Sequence, residues 1–174
     1  MTVDRFDIYI DRLLVSEGGF SKNPNDPGNW TGGRVGVGEL RGTNFGISAA
    51  SYPTLDIENL TRDSAIAIYR RDFWDASEAD LLPSAVAYSA LDGAVNSGCS
   101  KSIQWIQLAA GVADDGRWGP VTSAAVKATN PNDLLLRYNA YRLTFMTGLV
   151  AWAAESKGWA RRIAKNLLFG AEDN

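Results

Sequence analysis

Apolar side chains recur at helical spacing along most of this chain. Phe6, Ile10, Leu13 and Leu14 fall on one face of a helix over Asp4 to Ser16. Gly18-Gly19 predicts its end, because glycine readily takes up the backbone that closes a helix. Thr61 is placed to cap a run through Ile66, Tyr69 and Phe73. Pro83 opens a run through Val86, Leu91 and Val95, and Ser100 is the expected cap for Ile103, Ile106 and Leu108. Gly119-Pro120 opens Val121 to Ala128, with proline in the first turn. Asn132 or Asp133 is expected to cap the longest run: Leu134, Tyr138, Tyr141, Phe145, Leu149 and Trp152. Tyr138, Tyr141, Phe145 and Trp152 are expected in the core. Gly158 should interrupt this run, leaving a last short helix with Trp159, Ile163 and Leu167 on its apolar face and Arg161, Arg162 and Lys165 on its cationic one.

Residues 18–46 break the helical pattern. They are rich in Gly, Asn, Asp and Pro, and Asn25-Asp26-Pro27-Gly28 is a strong turn signal. Arg34 to Leu40 alternates and suggests one arm of a short hairpin, although its glycines weaken it as a strand. A loop this long within a compact domain is usually functional. The expected fold is mainly α, with a small β-hairpin or irregular loop near residues 30–45.

Composition narrows the chemistry. The 174 residues include no His and one Cys. That excludes a Ser-His-Asp triad, a Cys-His pair, a His-ligated catalytic zinc and an internal disulfide. Asp114-Asp115-Gly116 lacks the oxygen spacing of a calcium loop and reads as a turn. No metal or cofactor is expected. The charged segment Met1 to Asp11 has no apolar core, so no signal peptide is expected. Charge is uneven, with 8 basic and 13 acidic residues over 1–80 against 9 and 7 over 81–174. The basic second half suits an anionic surface. No nucleic-acid-binding motif accompanies it, so nucleic acid is not an expected partner.

Carboxylates are therefore the natural catalytic candidates. Glu17 ends the first helix, where the helix dipole opposes its charge. That position pushes its carboxyl upward, the direction a general acid needs. Asp26 sits nine residues later in the turn, where it serves either as a turn former or as a second catalytic carboxylate. Glu39 is the alternative second carboxylate. Trp30, Tyr52 and Trp74 are candidate stacking platforms for sugar faces, with packing as the competing role. Asn96, near the end of an apolar run, is either a helix cap or a contact to an acetamido group.

Several segments resemble glycoside hydrolase family 108, a family of phage and bacterial muramidases. Ser16-Glu17-Gly18-Gly19-Phe20 through Asn25-Asp26-Pro27-Gly28 is similar to the family's N-terminal motif. Thr43-Asn44-Phe45-Gly46-Ile47 and Ile68-Tyr69-Arg70-Arg71-Asp72-Phe73-Trp74 follow in the family's order. Ala90-Leu91-Asp92-Gly93-Ala94-Val95-Asn96, Asp115-Gly116-Arg117-Trp118-Gly119-Pro120 and Gly158-Trp159-Ala160-Arg161-Arg162 resemble its companion peptidoglycan-binding region. The stretch from Asn29 to Gly42 departs from it, being much longer than the family's link.

The resemblance implies a lysozyme-like helical fold, with a catalytic lobe over 1–90 and a peptidoglycan-binding lobe over 91–174. It implies Glu17 as general acid, with Asp26 and Thr43 completing the catalytic set as in phage-type lysozymes, and Asn44 among the substrate contacts. The expected substrate is the peptidoglycan glycan strand, cleaved between N-acetylmuramic acid and N-acetylglucosamine. A phage endolysin would accumulate in the host cytoplasm until released to the wall, and act as a monomer. The cationic face of the last helix, read from its residues, suits either contact with an outer-membrane surface or docking on the core with the basic groups outward. A lytic transglycosylase and a non-catalytic wall-binding module are the rival readings.

Overall fold

The computed structural model describes residues 4–14 and 19–174. The chain forms two compact units that divide between Arg70 and Arg71.

In the first unit, α1 (Arg5–Leu14) forms where the periodicity places it, and Phe6, Tyr9, Ile10 and Leu13 are buried. Asp4 precedes it and accepts from Arg70 at 2.7 Å and from the Phe6 N–H at 3.0 Å. The Arg70 guanidinium holds the Asp4 carboxyl below its usual range. Thr61 caps α2 (Arg62–Tyr69) as expected, its hydroxyl accepting the Ser64 N–H. Past Tyr69 the helix widens into π-helical turns over Arg70–Asp75.

Between α1 and α2 lie two short antiparallel strands, β1 (Thr43–Asn44) and β2 (Ile47–Ser48), with Thr43 opposite Ser48 and Asn44 opposite Ile47. Phe45 and Gly46 join them with φ of 49° and 75°. Two positive φ values give the turn that matches strand twist. Phe45 is strained there, and the Tyr69 hydroxyl donates to its carbonyl at 2.9 Å. The arm expected over Arg34 to Leu40 is not a strand. Leu40 forms an isolated bridge with Trp30, and the Glu39 and Val37 carbonyls accept the N–H groups of Thr31 and Gly32. Positive φ at Gly33, Gly36 and Gly38 coils the chain and breaks the alternation.

The second unit contains α3 (Ser84–Ser97), α4 (Cys99–Ala110), α5 (Pro120–Ala128), α6 (Pro131–Thr147) and α7 (Trp152–Glu172). Residues 85–94 of α3 are all buried, and α4, α6 and α7 pack around them. Small side chains on α3 permit close approach. A Cβ on Gly170 of α7 would stand 2.5 Å from the Ala85 carbonyl oxygen. The 90/91 boundary suggested by the motifs falls inside this single continuous helix.

Four local expectations change. Gly98, not Ser100, precedes α4. Asn130, not Asn132 or Asp133, caps α6, accepting the N–H groups of Asn132 at 2.9 Å and Asp133 at 3.4 Å, while Pro131 takes the first helical position. The long helix ends at Thr147, and α7 then runs through Gly158 for 21 residues. A glycine inside a helix costs only about 1 kcal/mol, which the packing of Ile163, Asn166 and Gly170 overrides. Finally, Tyr138 is buried, but Tyr141 and Phe145 are 41% and 36% exposed and Trp152 is only partly covered. The buried face of α6 is Leu134, Leu135, Tyr138, Asn139, Arg142 and Met146. Two of these are polar, so an apolar pattern selects the neighbouring face.

Asp92 is the reason a charged residue can face inward. Its Oδ2 accepts from Arg142 at 2.7 Å and Asn166 at 2.8 Å, and its Oδ1 from Arg162 at 3.0 Å and Asn96 at 3.2 Å. Among the described residues, no helix is long and apolar enough to cross a membrane.

Candidate active site

Glu17 lies outside the described residues; the other candidates of the first unit lie in the segments that follow it. Asp26 begins a tight turn. Its Oδ1 accepts the Gly28 N–H at 2.8 Å, and Pro27 fixes the first φ of the single 3-10 turn Pro27–Asn29. Asp26 is exposed, and its Oδ2 has no hydrogen-bond partner among the described residues. The turn former thus keeps one carboxylate oxygen open to a ligand.

Asn29 ties this turn to β1. It is fully buried. Its Nδ2 donates to the Asn23 carbonyl at 3.0 Å, and its Oδ1 accepts from the Thr43 hydroxyl at 2.7 Å. Its own carbonyl accepts the Arg41 and Gly42 N–H groups at 2.9 and 3.0 Å. Thr43 also exchanges two 2.8 Å backbone bonds with Ser21. Gly42 is required beside it, with φ at 91° and a Cβ position only 2.5 Å from the Ser21 carbonyl oxygen. The Ala50 N–H donates to the Gly28 carbonyl at 3.0 Å and fastens the turn to the residues after β2.

Asp26 and Thr43 are therefore joined through one buried amide. With its proton committed to Asn29, Thr43 has only oxygen lone pairs left, so it can accept a hydrogen bond from water. Asn29 does not stand out in the sequence, because an Asn after Asp-Pro-Gly looks like one more turn residue. Its burial is what distinguishes it.

The other candidates divide. Trp30 is half-buried, and its indole N–H donates to the Pro24 carbonyl at 2.9 Å. Tyr52 is half-buried. Asn44 is buried, with its amide donating to the carbonyls of Ile57 at 3.2 Å and Leu60 at 3.4 Å, so it braces the hairpin. Glu39 is exposed and paired with Arg41 at 2.6 Å. Trp74 and Asn96 belong to the second unit. Trp74 is fully buried, which withdraws its ring from solvent. Asn96 donates to the Asp92 carbonyl at 2.7 Å, a bond within α3.

A cavity of about 270 Å³ is lined by Lys22, Arg41 and residues 54–58, among them Asp56 and Glu58. The Asn59 side-chain amide holds the Asp56 carboxyl below its usual range. Donors and acceptors of both signs suit a ligand dense in hydroxyl and amide groups. Among the described residues, no group of three carboxylate or thiol side chains is placed to hold a metal ion.

Residues 10–98, just over half of the chain, match the family model for glycosyl hydrolase 108. The chain belongs to glycosyl hydrolase family 108. The match takes in Glu17, Asp26, Asn29 and Thr43, so the framework described above lies within the family region. This glycosyl hydrolase 108 member is similar over nearly its whole length to a solved structure of SagA from Brucella abortus. The two are 27% identical with a TM-score of 0.81, over 97% of this chain and 94% of that one. Comparison with individual curated proteins finds no match. The family and the SagA match support a peptidoglycan hydrolase with a lysozyme-like, mainly α fold.

Proposed function

We propose that the protein is a lysozyme-type N-acetylmuramidase that hydrolyses the β-1,4 bond between N-acetylmuramic acid and N-acetylglucosamine, and that it serves as a phage endolysin in host-cell lysis. The observation that carries this reading is the family match over residues 10–98, which contains Glu17, Asp26 and Thr43 in order.

In this reading Glu17 protonates the glycosidic oxygen as the bond to the muramic acid anomeric carbon breaks. The free Oδ2 of Asp26 faces the positive charge that develops on the sugar ring, or orients the incoming water. The Thr43 oxygen accepts a hydrogen bond from that water and orients it, since its own proton is held by Asn29. Water adds to the anomeric carbon, gives up its proton to the Asp26 carboxylate or to solvent, and leaves a reducing muramic acid end. Trp30 and Tyr52 offer partly open rings beside this framework, and the second unit holds the polymer as its wall-binding part.

Mass spectrometry of fragments from purified peptidoglycan, with native protein and Glu17→Gln side by side, tests this. Reducing muropeptides from the native protein alone are expected. Anhydro ends would instead mean a lytic transglycosylase. No fragments from either protein, with both bound to the wall, would mean a binding module.

A further inference from the structure

The hairpin joining α6 to α7 ends in an uncovered apolar tip. Val150 is 102% exposed and Leu149 is 38% exposed, and Phe145, one turn earlier, is exposed as well. Trp152 and Trp159 pack on each other with ring centres 6.1 Å apart, and both are only partly covered. A connection between two helices needs polar or small residues, not two large aliphatic ones.

The charge around the tip is one-sided. From Leu134 to Ala171 there are six cations and a single acid, Glu155. Arg137 pairs with Asp133, and Arg142 and Arg162 pair with Asp92. Lys157 and Arg161 have no ion-pair partner among the described residues, and they share with Lys165 the face of α7 opposite buried Ile163. Lys157 stands five residues past Trp152, about 7.5 Å along the axis at 1.5 Å per residue. That is roughly the depth of a lipid headgroup layer, about 5–8 Å. Because Ile163 is buried and Arg162 is held by Asp92, α7 cannot lie flat on a surface with its apolar side down.

We propose that this tip anchors the protein in an anionic phospholipid bilayer. Leu149 and Val150 enter the acyl boundary, Trp152 sits at the interface with Trp159 packed behind it, Lys157 meets the phosphate headgroups, and Arg161, one turn farther out, adds to the attraction. A protein partner fits less well, since a two-residue knob offers far less than the ~800 Å² per side of a stable interface. This proposal stands apart from the identity of the bond cleaved.

The test is cosedimentation of the full chain with vesicles of phosphatidylcholine alone or with a quarter phosphatidylglycerol. Binding at least tenfold stronger to the anionic vesicles is expected, weakened by salt and accompanied by a blue shift of tryptophan emission. Leu149→Ser with Val150→Ser should lower it tenfold or more, and Lys157→Glu with Arg161→Glu should abolish the preference for anionic lipid. Both pairs are exposed, so unfolding temperatures should match the native protein and exclude misfolding. No binding, or binding unchanged in the serine variant, would overturn the proposal. Concentration-dependent dimerisation lost in that variant would overturn it in favour of a second copy.

Discussion

The Thr43 hydroxyl donates to Asn29 Oδ1 at 2.7 Å, and Asn29 has no solvent exposure. This bond links the Asp26 turn to β1 inside the first unit. Asn29→Ala would leave the Asn23 carbonyl and the Thr43 hydroxyl without their partner. The expected cost is about 1–3 kcal/mol of stability, read by urea denaturation. Peptidoglycan turnover should fall further than stability explains, because Thr43 is freed to rotate. Thr43→Ser should keep turnover within a few-fold, while Thr43→Val should lose most of it. Equal turnover in both would remove Thr43 from the reaction.

Gly42→Ala tests the close pairing beside Thr43. Its φ of 91° and the Ser21 carbonyl oxygen 2.5 Å from the new Cβ both oppose the change. Backbone strain of this kind costs about 1–3 kcal/mol. A lowered unfolding temperature with reduced activity is expected, and an unchanged melting curve would show that the Ser21–Thr43 bridge moves freely.

Arg142 is fully buried, with Asp92 as its ionic partner at 2.7 Å. Asp92→Ala strands that charge and should destabilise the protein by about 3–5 kcal/mol. Adding Arg142→Met removes the stranded charge and should recover much of the loss. A double variant no more stable than Asp92→Ala would show that Asp92 acts through Arg162 and Asn166 instead.

Burial pushes the Tyr138 hydroxyl up to about 12. A folded value raised above the unfolded ~10 means that stability is intact below pH ~10 and declines as pH rises through 12, because the unfolded chain ionises first. The alkaline loss should reach about 2–3 kcal/mol, measured by denaturation between pH 9 and 12. Tyr138→Phe should flatten that decline while losing about 1 kcal/mol at neutral pH, from its bond with Ser102 at 2.9 Å. An alkaline decline as steep as the native protein's would assign it to another group.

Features set by neighbours a few residues away were legible in the sequence. Thr61 caps α2, Pro120 opens α5, and the mainly α class follows from apolar spacing, since capping and helical contact act within one or two turns. The ordered motif series placed the chain in its family for the same reason, because Glu17-Gly18-Gly19-Phe20 and Thr43-Asn44-Phe45-Gly46-Ile47 are strings read locally. Tertiary structure decided what those strings leave open. Asn29 became the hub of the Asp26 turn only because distant Thr43 folds onto it, and Trp74, which reads either as core or as a sugar platform, is fully buried. The register of α6 likewise follows from Asp92, fifty residues earlier, which makes inward Arg142 tolerable and turns Tyr141 and Phe145 outward. Burial is a property of remote segments meeting, and a polar side chain is admitted only where a remote partner satisfies it.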